Sequence, residues 1–160
     1  MRIIFVTGPA FSGKSIYIRK AFPNAVKVNI STYNKIAYAA ETNEQLEEIA
    51  KNAQLYCMEE LRCRILAAKE DDVIILEHQL LKKEGRAEFL KLIRSVTDTP
   101  VECIVMVPDE ETVKKMVGFE QTLVNFHAYE KGKLEVPTTD EGFASVTVIR
   151  PEFNEEDFRR

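Results

Sequence analysis

The sequence predicts an α/β protein whose mostly parallel, five-stranded sheet carries helices on both faces. Short runs of apolar, often β-branched residues recur along the chain, and segments with helical spacing, long enough to be crossovers, separate them. Strands buried on both faces read as continuous apolar runs rather than as alternation, and RIIFVT, VIIL and VECIVMV have that character.

Arg2 to Thr7 is the first such run and stops at Gly8-Pro9. The helical spacing of Gly13 to Ala21 ends before Phe22-Pro23, where proline disfavours further helix, and Ala25 to Ile30 reads as strand two. Thr42, with Glu44 and Gln45 behind it, offers a helix start. The helix-rich stretch runs to Lys69: Leu46, Ile49, Ala50 and Ala53 mark one face, and Leu55, Met58, Leu61, Ile65 and Leu66 continue it past a bend. Val73 to Leu76 is strand three, Arg86 to Val96 an amphipathic helix with Phe89, Leu90, Leu92 and Ile93 inward, and Val101 to Val107 strand four. Pro108-Asp109-Glu110-Glu111 signals another helix start, and periodicity is lost near Val117-Gly118, so residues 109–135 are expected to include a lid. Ser145 to Ile149 is the last strand, and the charged tail 152–160 is expected to fray.

The 160 residues amount to a single domain, 1–160. A formal net charge of −4 gives no global attraction to nucleic acid or to an anionic membrane, so a polyanion would need a local basic patch. The longest apolar run near the start, Ile3 to Val6, is far too short for a membrane span or a signal segment, and a cytoplasmic protein without membrane attachment is expected. Cys57, Cys63 and Cys103 form no C-x-x-C pair and lie in apolar stretches, which suits reduced thiols packed in a core.

The most specific chemistry lies between strand one and the first helix. Gly8-Pro9-Ala10-Phe11-Ser12-Gly13-Lys14-Ser15 fits G-x-x-x-x-G-K-[ST], the P-loop pattern, in the strand–loop–helix context that the pattern requires. Its glycines let successive backbone N–H groups turn inward as an anion nest, and the helix N-terminus adds its positive dipole end. Lys14 is expected to reach the β- and γ-phosphates of a nucleoside triphosphate and Ser15 to ligand Mg²⁺. The fold class is thus the three-layer P-loop NTPase sandwich. A chain this short, without the N-K-x-D base-reading motif of G proteins, favours a small phosphotransferase.

The residues resemble the small P-loop kinases of the phage polynucleotide kinase type, grouped with zeta-toxin-like and AAA-like kinases. The marks are GPAFSGKS, VKVNI followed by STYNK, VIILEHQLL followed by KKEGRAEFLKLI, and the ending YEKGKLEVPTTDEGFASVTVI. The resemblance implies ATP and Mg²⁺ as cofactors and a hydroxyl-bearing acceptor, either a polynucleotide 5′ end or a small molecule. It carries Gly8, Gly13, Lys14 and Ser15 over intact. The family's general-base aspartate falls near Ser31-Thr32 and its phosphate-holding arginine near Asn34, and none of these side chains can do that work. The family's carboxylate after strand three corresponds to Glu77, which could serve the metal or the acceptor, and His78 replaces a hydroxyl with a titratable ring that could act as base or cap a helix. Arg86 matches an arginine that opens the next helix and either contacts phosphate or pairs with Glu84 or Glu88.

The family's lid offers arginines to the transferred group, but this chain has none from Val96 to Ile149. Lys114 and Lys115 stand there instead, either as lid cations or as a solvated face paired with Glu110 and Glu111. His127 and Tyr129 read as an aromatic cluster packing the lid onto the body. Glu141-Gly142-Phe143 reads as a turn leading into a core aromatic, and in similar folds its loop lies near the nucleotide base. Two functional readings remain open: a kinase acting through Lys14, Ser15, Glu77 and His78, or a nucleotide-binding module, pseudokinase or slow ATPase that has kept only the phosphate cradle.

Overall fold

The computed structural model describes residues 1–34 and 40–159. The elements run β1 (Arg2–Thr7), α1 (Lys14–Ala21), β2 (Val26–Asn29), α2 (Ser31–Asn34), α3 (Asn43–Ala67), β3 (Val73–Glu77), α4 (Lys83–Val96), β4 (Val101–Met106), α5 (Glu110–Met116), α6 (Gln121–Lys133) and β5 (Ser145–Ile149), with 3₁₀ turns at Thr139–Glu141 and Glu155–Phe158. All strand pairs are parallel, in the order β2-β3-β1-β4-β5. The expected five-stranded sheet is therefore present.

The apolar runs bury side chains on both faces of the sheet. Ile3, Phe5, Ile74, Leu76, Cys103 and Val105 pack one face against Ala53, Cys57, Leu61 and Ile65 of α3 and Phe89, Leu90 and Ile93 of α4. Ile4, Val6, Ile75 and Met106 pack the other against Ile18 of α1, with Phe22 and Phe153 beside them. At roughly 1.5–3 kcal/mol for each large apolar side chain removed from water, these two layers dominate what holds the sheet together.

Several boundaries differ from the sequence reading. The long segment is one helix, Asn43–Ala67, capped where Thr42 Oγ1 accepts the Gln45 N–H. α4 starts at Lys83, three residues before Arg86, so Arg86 lies inside the helix and is fully buried. It pairs with neither Glu84 nor Glu88. Its guanidinium donates to both Glu141 oxygens, at 2.8 and 3.1 Å, and to the Leu80 carbonyl at 2.9 Å. Glu141 closes the 3₁₀ turn by accepting from Thr138 N–H, and Phe143 then enters the core edge-on to Phe5, as the turn-plus-aromatic reading expects.

Residues 109–135 form two helices broken at Gly118-Phe119. Cys57 and Cys103 are buried, and burial pushes their thiols up to about 12 and about 11. Cys63 is exposed beside Glu59, because its position falls off the buried stripe of Cys57, Leu61 and Ile65. Residues 152–159 of the tail lie against the body: Asp157 pairs with Lys20 at 2.9 Å, Arg19 donates to the Asp157 carbonyl, and Phe153 and Phe158 meet edge to face. Two aromatics inside a charged segment supply the burial that its composition conceals.

Candidate functional site

The loop between β1 and α1 lies at the carboxyl ends of the central strands, where open α/β sheets bind their ligands. Two glycines set its course. A Cβ at Gly8 would stand 2.5 Å from the Met106 carbonyl oxygen, and one at Gly13, where φ is +84°, would stand 2.4 Å from the Phe153 ring. Gly13 caps α1, and among the described residues no acceptor takes the amides of Gly13, Lys14 or Ser15, the orphan donors of a helix start. A cradle of unpaired amides at a helix N-terminus suits phosphate oxygens.

Lys14 folds back over this cradle. Its ammonium donates to the carbonyls of Gly8 (2.9 Å) and Pro9 (2.8 Å) and lies 3.4 Å from Ser12 Oγ. Burial pulls its pKa down to about 8, against the opposing pull of Glu77 and Glu130. Ser15 Oγ donates to Glu77 Oε1 at 2.5 Å, and the Asn29 amide donates to Glu77 Oε2. The register makes this possible, because Glu77 is level with Val6 of β1 on one side and Asn29 of β2 on the other. Sequence reasoning missed Asn29; a polar residue ending a buried strand was the available signal.

His78 turns away from this cluster. Its Nδ1 accepts the Leu80 N–H at 3.3 Å, so Nε2 carries the proton and donates to Gln54 Oε1 at 2.9 Å, while the ring sits edge-on to Phe89. Burial, helped by the Lys14 charge, lowers its pKa to about 4. The folded ring thus stays neutral while an unfolded one protonates near pH 6.5, so the unfolded chain binds more protons between those values. Stability from this residue is intact above pH 6.5 and is lost as the pH falls toward 4. In urea titrations, wild type is expected to lose up to about 3 kcal/mol relative to His78→Gln across that window. A constant difference between the two proteins would contradict this.

A cavity of about 710 Å³ opens beside the loop, lined among others by Phe11, Lys14 and Ser15, by Glu77, by Arg19 of α1 and by Asp157 and Phe158 of the tail. Met116 of α5, Val117 just past it and Leu123 of α6 also line it, so the region 109–135 borders the cavity. Its lysines do not line it. Lys114 is 3.4 Å from both Glu110 and Glu111, and Lys115 lies in a separate acidic groove.

α6 touches the loop through His127, read from the sequence as an aromatic packing residue, and through Glu130, to which the sequence assigned no role. His127 is buried, with Nδ1 at 2.7 Å from the Ala10 carbonyl, and Glu130 Oε1 accepts the Ala10 N–H at 2.7 Å. Phe126 meets Phe11 edge to face. Tyr129, expected to pack inward, is exposed with Lys133 over its ring. Ser31 and Thr32 are exposed in the short α2, where the Ser31 N–H donates to Asn29 Oδ1, and Asn34 is half-buried.

No protein-family profile matches this chain, and no curated protein sequence does. Solved structures do. A sugar kinase from Janibacter superposes with a TM-score of 0.63 at 16% identity, covering 94% of this chain and 85% of its own. Kti12 from Chaetomium thermophilum, solved with ADP-AlF3, gives 0.61 at 13% identity over 98% and 93%. A gluconokinase from Sinorhizobium meliloti gives 0.55 at 13% identity over 99% and 87%. At these identities the likeness shows the fold: a P-loop kinase-like α/β sandwich. Among the described residues no helix is long and apolar enough to cross a membrane.

Proposed function

We propose that this chain is an ATP-dependent phosphotransferase, of the polynucleotide-kinase-like type, that moves the γ-phosphate to a hydroxyl acceptor. The observation that supports it most is the convergence, in one cavity, of Lys14, the Ser15 hydroxyl and the Glu77 carboxylate beside the unpaired amides of the loop. Lys14 would leave the Gly8 and Pro9 carbonyls for the β- and γ-phosphates. Ser15 and Glu77 present hard oxygen donors 2.5 Å apart, the small donor set with which a protein holds a phosphate-bound Mg²⁺. Bound there, Mg²⁺ would neutralise charge developing on the phosphate oxygens. Asn29 holds the second Glu77 oxygen and so fixes the carboxylate. The nucleobase would lie in the same cavity, against apolar lining residues such as Met116, Val117 and Phe158.

For the acceptor, a small polyhydroxyl molecule fits better than a polynucleotide end. Among the described residues, the end of β2 beside Glu77 and the short α2 after it offer neutral polar groups, Asn29, Ser31 and Asn34; Lys35 lies outside the described residues. The sugar kinase and gluconokinase of like fold agree with that class. The cytoplasm, which supplies ATP and keeps thiols such as Cys63 reduced, is the compartment such an enzyme would need.

The test is turnover of ATP·Mg²⁺ against polyols, sugar acids and 5′-hydroxyl oligonucleotides, with direct nucleotide titration alongside. Lys14→Ala is expected to weaken nucleotide binding by about 10- to 100-fold, the worth of one charge-assisted contact. Glu77→Gln should reduce turnover far more than affinity for free nucleotide. The second reading, a nucleotide-binding module or slow ATPase, is favoured by the absence of arginine from the lid. It would prevail if nucleotide bound tightly while no acceptor other than water was phosphorylated.

A further inference from the structure

Transfer to a hydroxyl needs a group to take its proton, and the residues that sequence reasoning offered are engaged elsewhere. Glu77 has one oxygen on Ser15 and the other on Asn29, and His78 has both ring nitrogens bonded, to Gln54 and to the Leu80 amide. Ser31 and Asn34 have no basic lone pair at neutral pH.

One further carboxylate reaches the loop, from α6. Glu130 lies one helical turn beyond His127 on α6, and the two side chains take both polar groups of Ala10, Glu130 its N–H and His127 its carbonyl, each at 2.7 Å. Ala10 directly follows Gly8 and Pro9, whose carbonyls hold the Lys14 ammonium, so Glu130 stands beside the stretch of loop on which that ammonium rests. It lies close enough to act on the Lys14 charge. Only Oε1 of Glu130 is used; Oε2 has no partner among the described residues. The surrounding backbone is pinned: the Gly8 N–H donates to the Gln79 carbonyl, and the Glu135 N–H, just past α6, donates to the Leu81 carbonyl. These bonds tie the loop and the end of α6 to the chain after β3.

We propose that Glu130 is the general base for the acceptor hydroxyl, an inference that rests on the phosphotransferase reading above. As the hydroxyl O–H bond breaks, its proton passes to Glu130 Oε2 and the freed oxygen pair forms the bond to the γ-phosphorus. The bond from that phosphorus to the β,γ-bridging oxygen breaks, and its electron pair leaves on the β-phosphate of ADP. The Glu130 carboxylic acid then returns its proton to solvent. His127 is a positioning residue in this scheme: by holding the Ala10 carbonyl it fixes the peptide that orients Glu130.

Glu130→Gln separates a base from a brace, because the amide oxygen can still accept from the Ala10 N–H but cannot take a proton. With ATP·Mg²⁺ and both water and a polyol panel as acceptors, Glu130→Gln is expected to lower turnover by about 10²- to 10⁴-fold, the usual worth of general-base catalysis. Its affinity for the β,γ-imido analogue of ATP should stay within about twofold of wild type, since the hydrogen bond at issue survives. Glu130→Asp should recover part of the rate, and Glu130→Ala should lose both rate and affinity. Turnover of Glu130→Gln within threefold of wild type overturns the proposal, as does a loss of affinity that matches its loss of rate. In either case transfer by the wild type would still stand. A wild-type protein that binds ATP and turns over nothing overturns the transfer reading and this base together.

Discussion

Replacing Arg86 by alanine is expected to cost about 3–5 kcal/mol of folding stability, because it strands the Glu141 carboxylate in the protein interior. Arg86 is fully buried, and the Glu141 side chain is 5% exposed. Burial alone would push the Glu141 pKa up, yet it lies below the usual carboxylate range because the Arg86 hydrogen bonds, the Thr138 amide and the arginine charge outweigh that cost. Against a total stability of about 5–15 kcal/mol, the loss is a large fraction, and the melting temperature should fall by about 10 °C or more. Arg86→Met combined with Glu141→Gln removes both charges and should restore much of the difference, since only one member of a buried pair is costly alone. Thermal and urea unfolding would measure it; a loss below about 1 kcal/mol for Arg86→Ala would mean that the pair is dispensable.

Nucleotide affinity is expected to weaken with rising pH, by up to tenfold per unit above about pH 8. In the free protein, burial lowers the Lys14 pKa to about 8, whereas a triphosphate requires the ammonium form, so binding above that pH must take up a proton. The sign for folding is opposite: an unfolded lysine holds its proton to about 10.5, so the free protein gains stability as pH rises through 8 toward that value. Calorimetric titration with ATP·Mg²⁺ from pH 7 to 9.5, in buffers of different ionisation enthalpy, would detect both the slope and the proton. Lys14→Arg, charged throughout, should show neither. A flat affinity in wild type, or an unchanged slope in Lys14→Ala, would rule Lys14 out as the titrating group.

What could be read in the sequence divides along the range of the interactions. Arg2–Thr7 and Val73–Glu77 are legible because burial on both faces demands unbroken apolar residues, and the P-loop because its glycines, lysine and serine are adjacent in the chain. The contact of Glu130 and His127 with Ala10 spans well over a hundred residues and rides on a helix without a clear apolar face, so no local pattern announces it. Arg86 was legible as a residue of interest but not its partner, because Glu141 lies 55 positions away in a turn whose place only the fold fixes. Phe153 and Phe158 were obscured by the acids around them.

Among the described residues, the 25-residue α3 has no fully buried side chain before Ala53. Its first ten residues carry the Thr42 cap and helix-forming glutamate, glutamine, lysine and alanine. Such a segment would be marginal on its own, because forming the first hydrogen-bonded turn is statistically costly. Here the buried turns from Ala53 to Ile65 act as a nucleus already formed, and the overhang need only propagate from it, one hydrogen bond for each residue fixed. Its helicity should therefore decline gradually from the Thr42 end on warming, a helix–coil transition grafted onto a domain that otherwise melts as a unit.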